Sequence, residues 1–79
     1  QDKYVSLTVR QSTGRTTSCT ISETCELREL MEWWCRCERG DMDRTRFIFD
    51  GIQLVRHDTP QQFGMGDGDV IHVMMSYGG

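Results

Sequence analysis

The sequence predicts an α+β domain in which a mixed sheet of about five strands packs on one main helix. Three observations carry this. Apolar residues alternate along residues 4–10, they recur at helical spacing between Leu27 and Cys35, and alternation returns at residues 46–50 and 69–75. With 79 residues the chain makes one domain. A chain of this size buries about 60% of its unfolded surface, enough for one small core but not for a lobed active site.

Taken in order, Tyr4-Val5-Ser6-Leu7-Thr8-Val9-Arg10 places Val5, Leu7 and Val9 on one face of a first strand. Gln11-Ser12-Thr13-Gly14 supplies turn chemistry. The Thr-rich run from Arg15 to Ser22 then returns as the second strand of a hairpin, with Cys19 and Ile21 inward. Leu27, Leu30, Met31, Trp34 and Cys35 form the apolar stripe of a helix from about Cys25 to Arg39. Ser22 or Thr24 is the expected N-cap, with Glu23 and Glu26 at the positive end of the dipole. Arg36 and Arg39 suit the other end, and Gly40 is the expected stop.

The third strand is Arg46-Phe47-Ile48-Phe49-Asp50, with both Phe rings facing one way and Ile48 the other. Gly51 turns it towards a short strand at Ile52-Gln53-Leu54. A loop from Arg56 to Asp67 holds Pro60, Gly64 and Gly66. The last strand runs from Asp69 to Met75, with Ile71 and Val73 on one face. Ser76-Tyr77-Gly78-Gly79 has no apolar pattern, so the expected division is a domain over residues 1–76 and a mobile tail at 77–79. Strand, strand, helix, strand, short strand, strand is the β-grasp order. The first and last strands, the most regularly apolar, are expected to pair in parallel at its centre.

Composition narrows the function. Apolar residues make up 37% and charged residues 27%, ordinary for a soluble globular domain. A net charge of −3 argues against non-specific nucleic-acid binding, which needs a basic stripe. No apolar run reaches the length that spans a bilayer, and no signal-peptide pattern opens the chain; a start at Gln1 points to a processed or trimmed N-terminus.

The spacing of Cys19, Cys25, Cys35 and Cys37 lacks the paired ligands of a zinc site. On a helix, Cys35 and Cys37 would lie about 200° apart. Reduced thiols in an intracellular protein are therefore expected, with no metal and no cofactor. A Cys/His nucleophile is not supported either: Cys35 should face the core, whereas His57 and His72 read as surface residues.

The run Arg46-Phe47-Ile48-Phe49-Asp50-Gly51, then Thr59-Pro60, Gly64-Met65, Asp69-Val70-Ile71 and Gly78-Gly79, resembles the small ubiquitin-like modifiers of the SUMO family. The likeness extends without gaps back to about Tyr4. It implies a ubiquitin-like β-grasp protein that is not itself an enzyme. In that family an ATP-dependent activating enzyme and a conjugating enzyme carry the modifier as a thioester, and a target lysine takes it into an isopeptide bond. Gly78 and Gly79 match the conjugated end, where the lack of Cβ atoms lets the tail lie extended in a narrow tunnel. The partners implied are those two enzymes, SUMO proteases, target lysines and proteins with hydrophobic SUMO-interacting motifs. The implied state is a monomer of the nucleus and cytoplasm, free of nucleic acid and membrane. A SUMO-like docking domain of a larger protein, not conjugated, is the alternative.

Two further surfaces follow from the resemblance. The groove that receives an extended hydrophobic peptide maps to Cys19, Thr20, Ile21 and Ser22 with Leu30 and Trp34. Thr20, Ser22 and Glu29 stand where the family carries lysines, and Cys19 replaces an aromatic ring, so attraction for acidic peptide flanks should be missing or reversed. The face that holds the conjugating enzyme maps to Arg46, Asp50, Gly64 and Asp69. Three other departures stand out: Tyr77 directly precedes the glycines, Lys3 is the only lysine, and Trp33 is expected on the helix's outer side.

Overall fold

The computed structural model describes residues 3–75. Its strands are β1 (Tyr4–Gln11), β2 (Thr16–Ser22), β3 (Thr45–Phe49), β4 (Ile52–Gln53) and β5 (Val70–Met75), with one α-helix, α1 (Arg28–Glu38). The sheet runs β2-β1-β5-β3-β4. β1 and β5 pair in parallel at its centre, as the two most regular apolar strands should, and the other pairings are antiparallel. This is the ubiquitin-like β-grasp.

Register places one face of every long strand against the helix. Val9 lies beside Ile71, and Val73 beside Phe47, so their side chains form a continuous apolar floor. Leu27, Leu30, Met31, Trp34 and Cys35 close it from above; all five are buried, as the helical spacing required. Trp34 stands edge-on to Phe47, with ring centroids 5.8 Å apart and planes at 88°. The Asp50-Gly51 hairpin joins β3 to β4 with φ of 52° and 79°. Those are the two left-handed residues that a twisted two-residue turn demands.

Three local expectations are corrected. The helix begins at Arg28, not near Cys25, and neither Ser22 nor Thr24 caps it. Instead Leu27 N donates to Asp58 O at 2.7 Å and Arg28 N to Arg56 O at 3.2 Å. A distant loop thus satisfies the orphan donors that a side-chain cap would otherwise take. Ser22 and Thr24 are spent in the preceding turn, their hydroxyls 3.1 Å apart, with Cys25 N donating to Ser22 O at 3.0 Å.

Arg39, not Gly40, takes the left-handed position after the helix, with φ 55°. Gly40 is needed for closeness: a Cβ there would lie 3.2 Å from Trp34 Cζ3 and 3.4 Å from Met75 Cε. The segment expected as plain loop contains a 3-10 turn, Pro60–Phe63, closed by a capping box. Thr59 Oγ1 accepts from Gln62 N, and Gln62 Oε1 accepts from Thr59 N at 2.8 Å.

Candidate functional site

β2 ends the sheet, so no strand among the described residues covers its outer edge. Between it and α1 opens a groove of about 350 Å³. Ser18, Cys19, Thr20 and Ile21 form the strand wall; Glu29, Leu30 and Trp33 form the helix wall. Cys19 and Ile21 share a face because strand side chains alternate. Ile21 and Leu30 are buried, so they supply the floor, while exposed Thr20 and Glu29 stand at the rim.

Cys19, Thr20, Ile21 and Leu30 thus come together as the resemblance implied. Trp34 does not join them. It is completely buried beneath the helix, and its indole N–H has no hydrogen-bond partner among the described residues. Its neighbour Trp33, expected on the outer side, is half-buried and lines the groove. The physical reason is the helical step of about 100°, which carries residue 33 back from the core axis towards β2. The signal was available, since Trp33 lies three residues after Leu30 and four after Glu29, on the same stripe. Ser22 is also outside the lining, being engaged in the turn before α1.

The groove's electrostatics are set by Glu29, the single ionisable carboxylate in its walls. The thiols do not counter it. Burial raises the pKa of Cys19, and the neighbouring Cys37 and Cys25 raise it further. Cys25 is raised by burial and then by Glu29 and Glu26. Burial also raises Cys35, against a lowering hydrogen bond with Thr45, while Asp41 pushes the same way as burial. At neutral pH these three groups are protonated thiols, poor nucleophiles and poor metal ligands. Among the described residues no group of three or more His, Cys, Asp or Glu is placed to hold a metal. No helix there is long and apolar enough to cross a membrane.

The four residues mapped to the conjugating-enzyme surface do not form one cluster. Arg46 is opposite Met74, near the end of β5, whereas Asp69 immediately precedes that strand. Five residues of extended chain separate those levels, about 17 Å. Asp50 is nearer Asp69, because Ile48 pairs with His72 and β3 runs on towards the start of β5. The contact of Phe49 with Phe63, centroids 6.2 Å apart, draws Gly64 to the same end. Asp69 is also committed locally: its Oδ2 accepts from Gly66 N at 2.7 Å, and its carbonyl accepts from Thr8 N at 2.9 Å. Gly78 and Gly79, with Ser76 and Tyr77, lie outside the described residues.

Comparison with known proteins adds two findings. Residues 7–77 match the model of the ubiquitin family. Small ubiquitin-related modifier 2 of Arabidopsis thaliana is 31% identical over 75 residues, which cover 95% of this chain and 73% of that protein.

Proposed function

The chain belongs to the ubiquitin family as a divergent SUMO-like member, and from that premise we propose that it modifies other proteins through the carboxyl group of Gly79. The carrying observation is the extent of the likeness: it spans 95% of the chain, and the family match runs to residue 77, directly before the two glycines.

The chemistry is acyl transfer. An activating enzyme joins the Gly79 carboxylate to the AMP moiety of ATP, releasing pyrophosphate, and a cysteine thiolate then displaces AMP to give a thioester. The acyl group passes to the conjugating enzyme's cysteine. A target lysine amine attacks the carbonyl, a thiol leaves, and an isopeptide bond remains. The bond-making groups belong to the enzymes and the target. This chain supplies the electrophilic carbonyl, a glycine pair with no side chains to block an extended path, and a rigid body for recognition.

Arg46, Asp50, Gly64 and Asp69 are proposed to meet the conjugating enzyme. Since Arg46 stands apart, the contact would extend along the sheet rather than centre on one point. The β2–α1 groove is proposed to take extended hydrophobic peptides by strand addition. With Glu29 at its rim, its affinity for peptides with acidic flanks should be weaker than that of ordinary SUMO proteins. The proposed setting is the nucleus and cytoplasm.

Incubation with ATP, SUMO-activating enzyme and conjugating enzyme tests the main claim. A thiol-sensitive adduct that disappears when Gly79 is removed is expected. Absence of any adduct, under conditions where an ordinary SUMO protein is charged, would sink the modifier reading.

A further inference from the structure

On the far side of α1 from the β2 groove lies a second cleft, of about 230 Å³. Its apolar walls include Met31 from the helix, Met42 from the connection after it, and Phe47 and Leu54 from the sheet. Phe47 and Leu54 are bonded across β3 and the chain after β4, Leu54 N donating to Phe47 O at 2.7 Å. Backbone direction alternates along extended chain, so the N–H and C=O of Gln53 face away from β3. β4 is the other end of the sheet, and no strand among the described residues covers that side. Val55, just beyond, is 54% exposed and Ile52 is 49% exposed. A cleft with an apolar floor and a polar rim therefore adjoins a short open sheet edge, the two elements that an extended peptide segment needs.

The charge around this cleft is opposite to that of the first groove. Arg46 and Arg56 are among its lining residues, and no carboxylate is. Asp43 pairs with one of these arginines, its Oδ1 lying 3.9 Å from Arg56 Nη2. Both side chains are mostly exposed, so this pair is weak and readily exchanged. Its geometry shows how a carboxylate meets the cation at the mouth of the cleft. An incoming acidic group would take the place that Asp43 now holds.

We propose that this cleft between α1 and β4 is a docking site for an extended partner segment that combines a medium-sized aliphatic side chain with flanking carboxylates. The aliphatic group enters between Met31, Met42, Phe47 and Leu54; the acids engage Arg56 and Arg46; and the Gln53 backbone offers one strand-type pair. The site uses none of the Gly79 acyl chemistry but shares Arg46 with the proposed conjugating-enzyme face, so a copy that has left that enzyme for its target would present it. It divides the labour between the two sides of the helix, with acid-flanked peptides disfavoured by Glu29 on one side and drawn by arginine on the other.

The test uses the full 79-residue chain and a synthetic peptide with a Leu/Ile centre flanked by Asp and Glu, followed by amide chemical-shift mapping. Shifts are expected at Met31, Met42, Gln53 and Val55, with affinity falling as salt rises. Arg56→Glu should weaken binding by about fivefold, and Asp43→Asn, which removes the competing acid, should tighten it by about twofold. Both sites are exposed, so thermal unfolding of each variant should match the parent chain. The proposal is overturned by shifts confined to residues 18–21 and Trp33, by no binding, or by equal affinity of parent and both variants. Peptide-independent dimerisation through the same residues, seen by analytical ultracentrifugation, would also overturn it.

Discussion

Reversing one charge at the rim of the β2 groove should convert its preference for peptides. In Glu29→Lys the exposed carboxylate on the helix wall becomes an ammonium group beside the path of a bound strand. A unit pair about 6 Å apart in water-like surroundings is worth about 0.7 kcal/mol. Screening at about 0.15 M salt, with a Debye length of about 8 Å, roughly halves that. The substitution changes the charge by two units, so each peptide carboxylate within reach gains about 0.7 kcal/mol. Two such carboxylates give about 1.4 kcal/mol, a tenfold fall in Kd.

Fluorescence anisotropy with a labelled, acid-flanked hydrophobic peptide reads this directly, and repeating it at higher salt should erase most of the gain. An unchanged Kd at low salt would refute the electrostatic argument, as would tight salt-sensitive binding already present in the parent chain. The chemical-shift map must accompany the titration, so that binding at the arginine-lined cleft is counted separately.

Other outcomes follow from the packing. Trp34→Ala should cost about 3–5 kcal/mol, a large part of a small domain's stability, and should abolish the cooperative urea transition. Trp33→Ala should leave that transition largely in place while weakening peptide binding in the β2 groove. Gly40→Ala pushes a methyl against the fixed ring of Trp34 at 3.2 Å, so a loss of about 1–3 kcal/mol is expected by urea denaturation. The part-buried thiol of Cys19 and the buried thiol of Cys35 predict alkaline sensitivity. Cys19 and Cys35 are held above their ordinary value of 9.0 in the fold, so the folded state keeps its protons when the unfolded chain has lost them. The associated stability is complete below the unfolded value and is lost as pH rises through the folded one. The urea midpoint should therefore fall once pH passes about 9, and less so in Cys35→Ala. In Glu29→Lys, where a raising charge beside Cys25 is removed, that thiol should alkylate faster.

Much of the fold was legible because its long elements keep strict periods. Val5, Leu7 and Val9 marked one strand face, and Leu27 to Cys35 marked one helix stripe; all of these are buried. The parallel pairing of β1 and β5 followed from their regularity. What escaped depends on residues far apart in the chain. The helix starts at Arg28 because carbonyls of residues 56 and 58 meet its first donors, and no local pattern contains that fact. The 3-10 turn did leave a local sign, Thr59 followed three residues later by Gln62, obscured by the surrounding glycines. In the groove, Cys19, Thr20 and Ile21 line the strand wall as expected, Ser18 stands there in place of Ser22, and the two tryptophans were exchanged. Both rings fit the helical stripe broadly, and a step of about 100° decides which one faces the core.

The position of β5 also orders events in time. β5, the last of the described strands in chain order, lies between β1 and β3, so until residues 70–75 have left the ribosome both neighbours keep an open edge. The β1–β2 hairpin and α1 can form earlier, but the core floor lacks Ile71 and Val73 and cannot close. Completion is therefore a late, nearly all-or-none event, as expected where distant segments must pair. The strand that finishes the sheet is the one from which the chain proceeds to Gly78 and Gly79. A nascent chain cut short of β5 lacks the strand that closes the core and, with it, the two glycines on which the proposed conjugation depends.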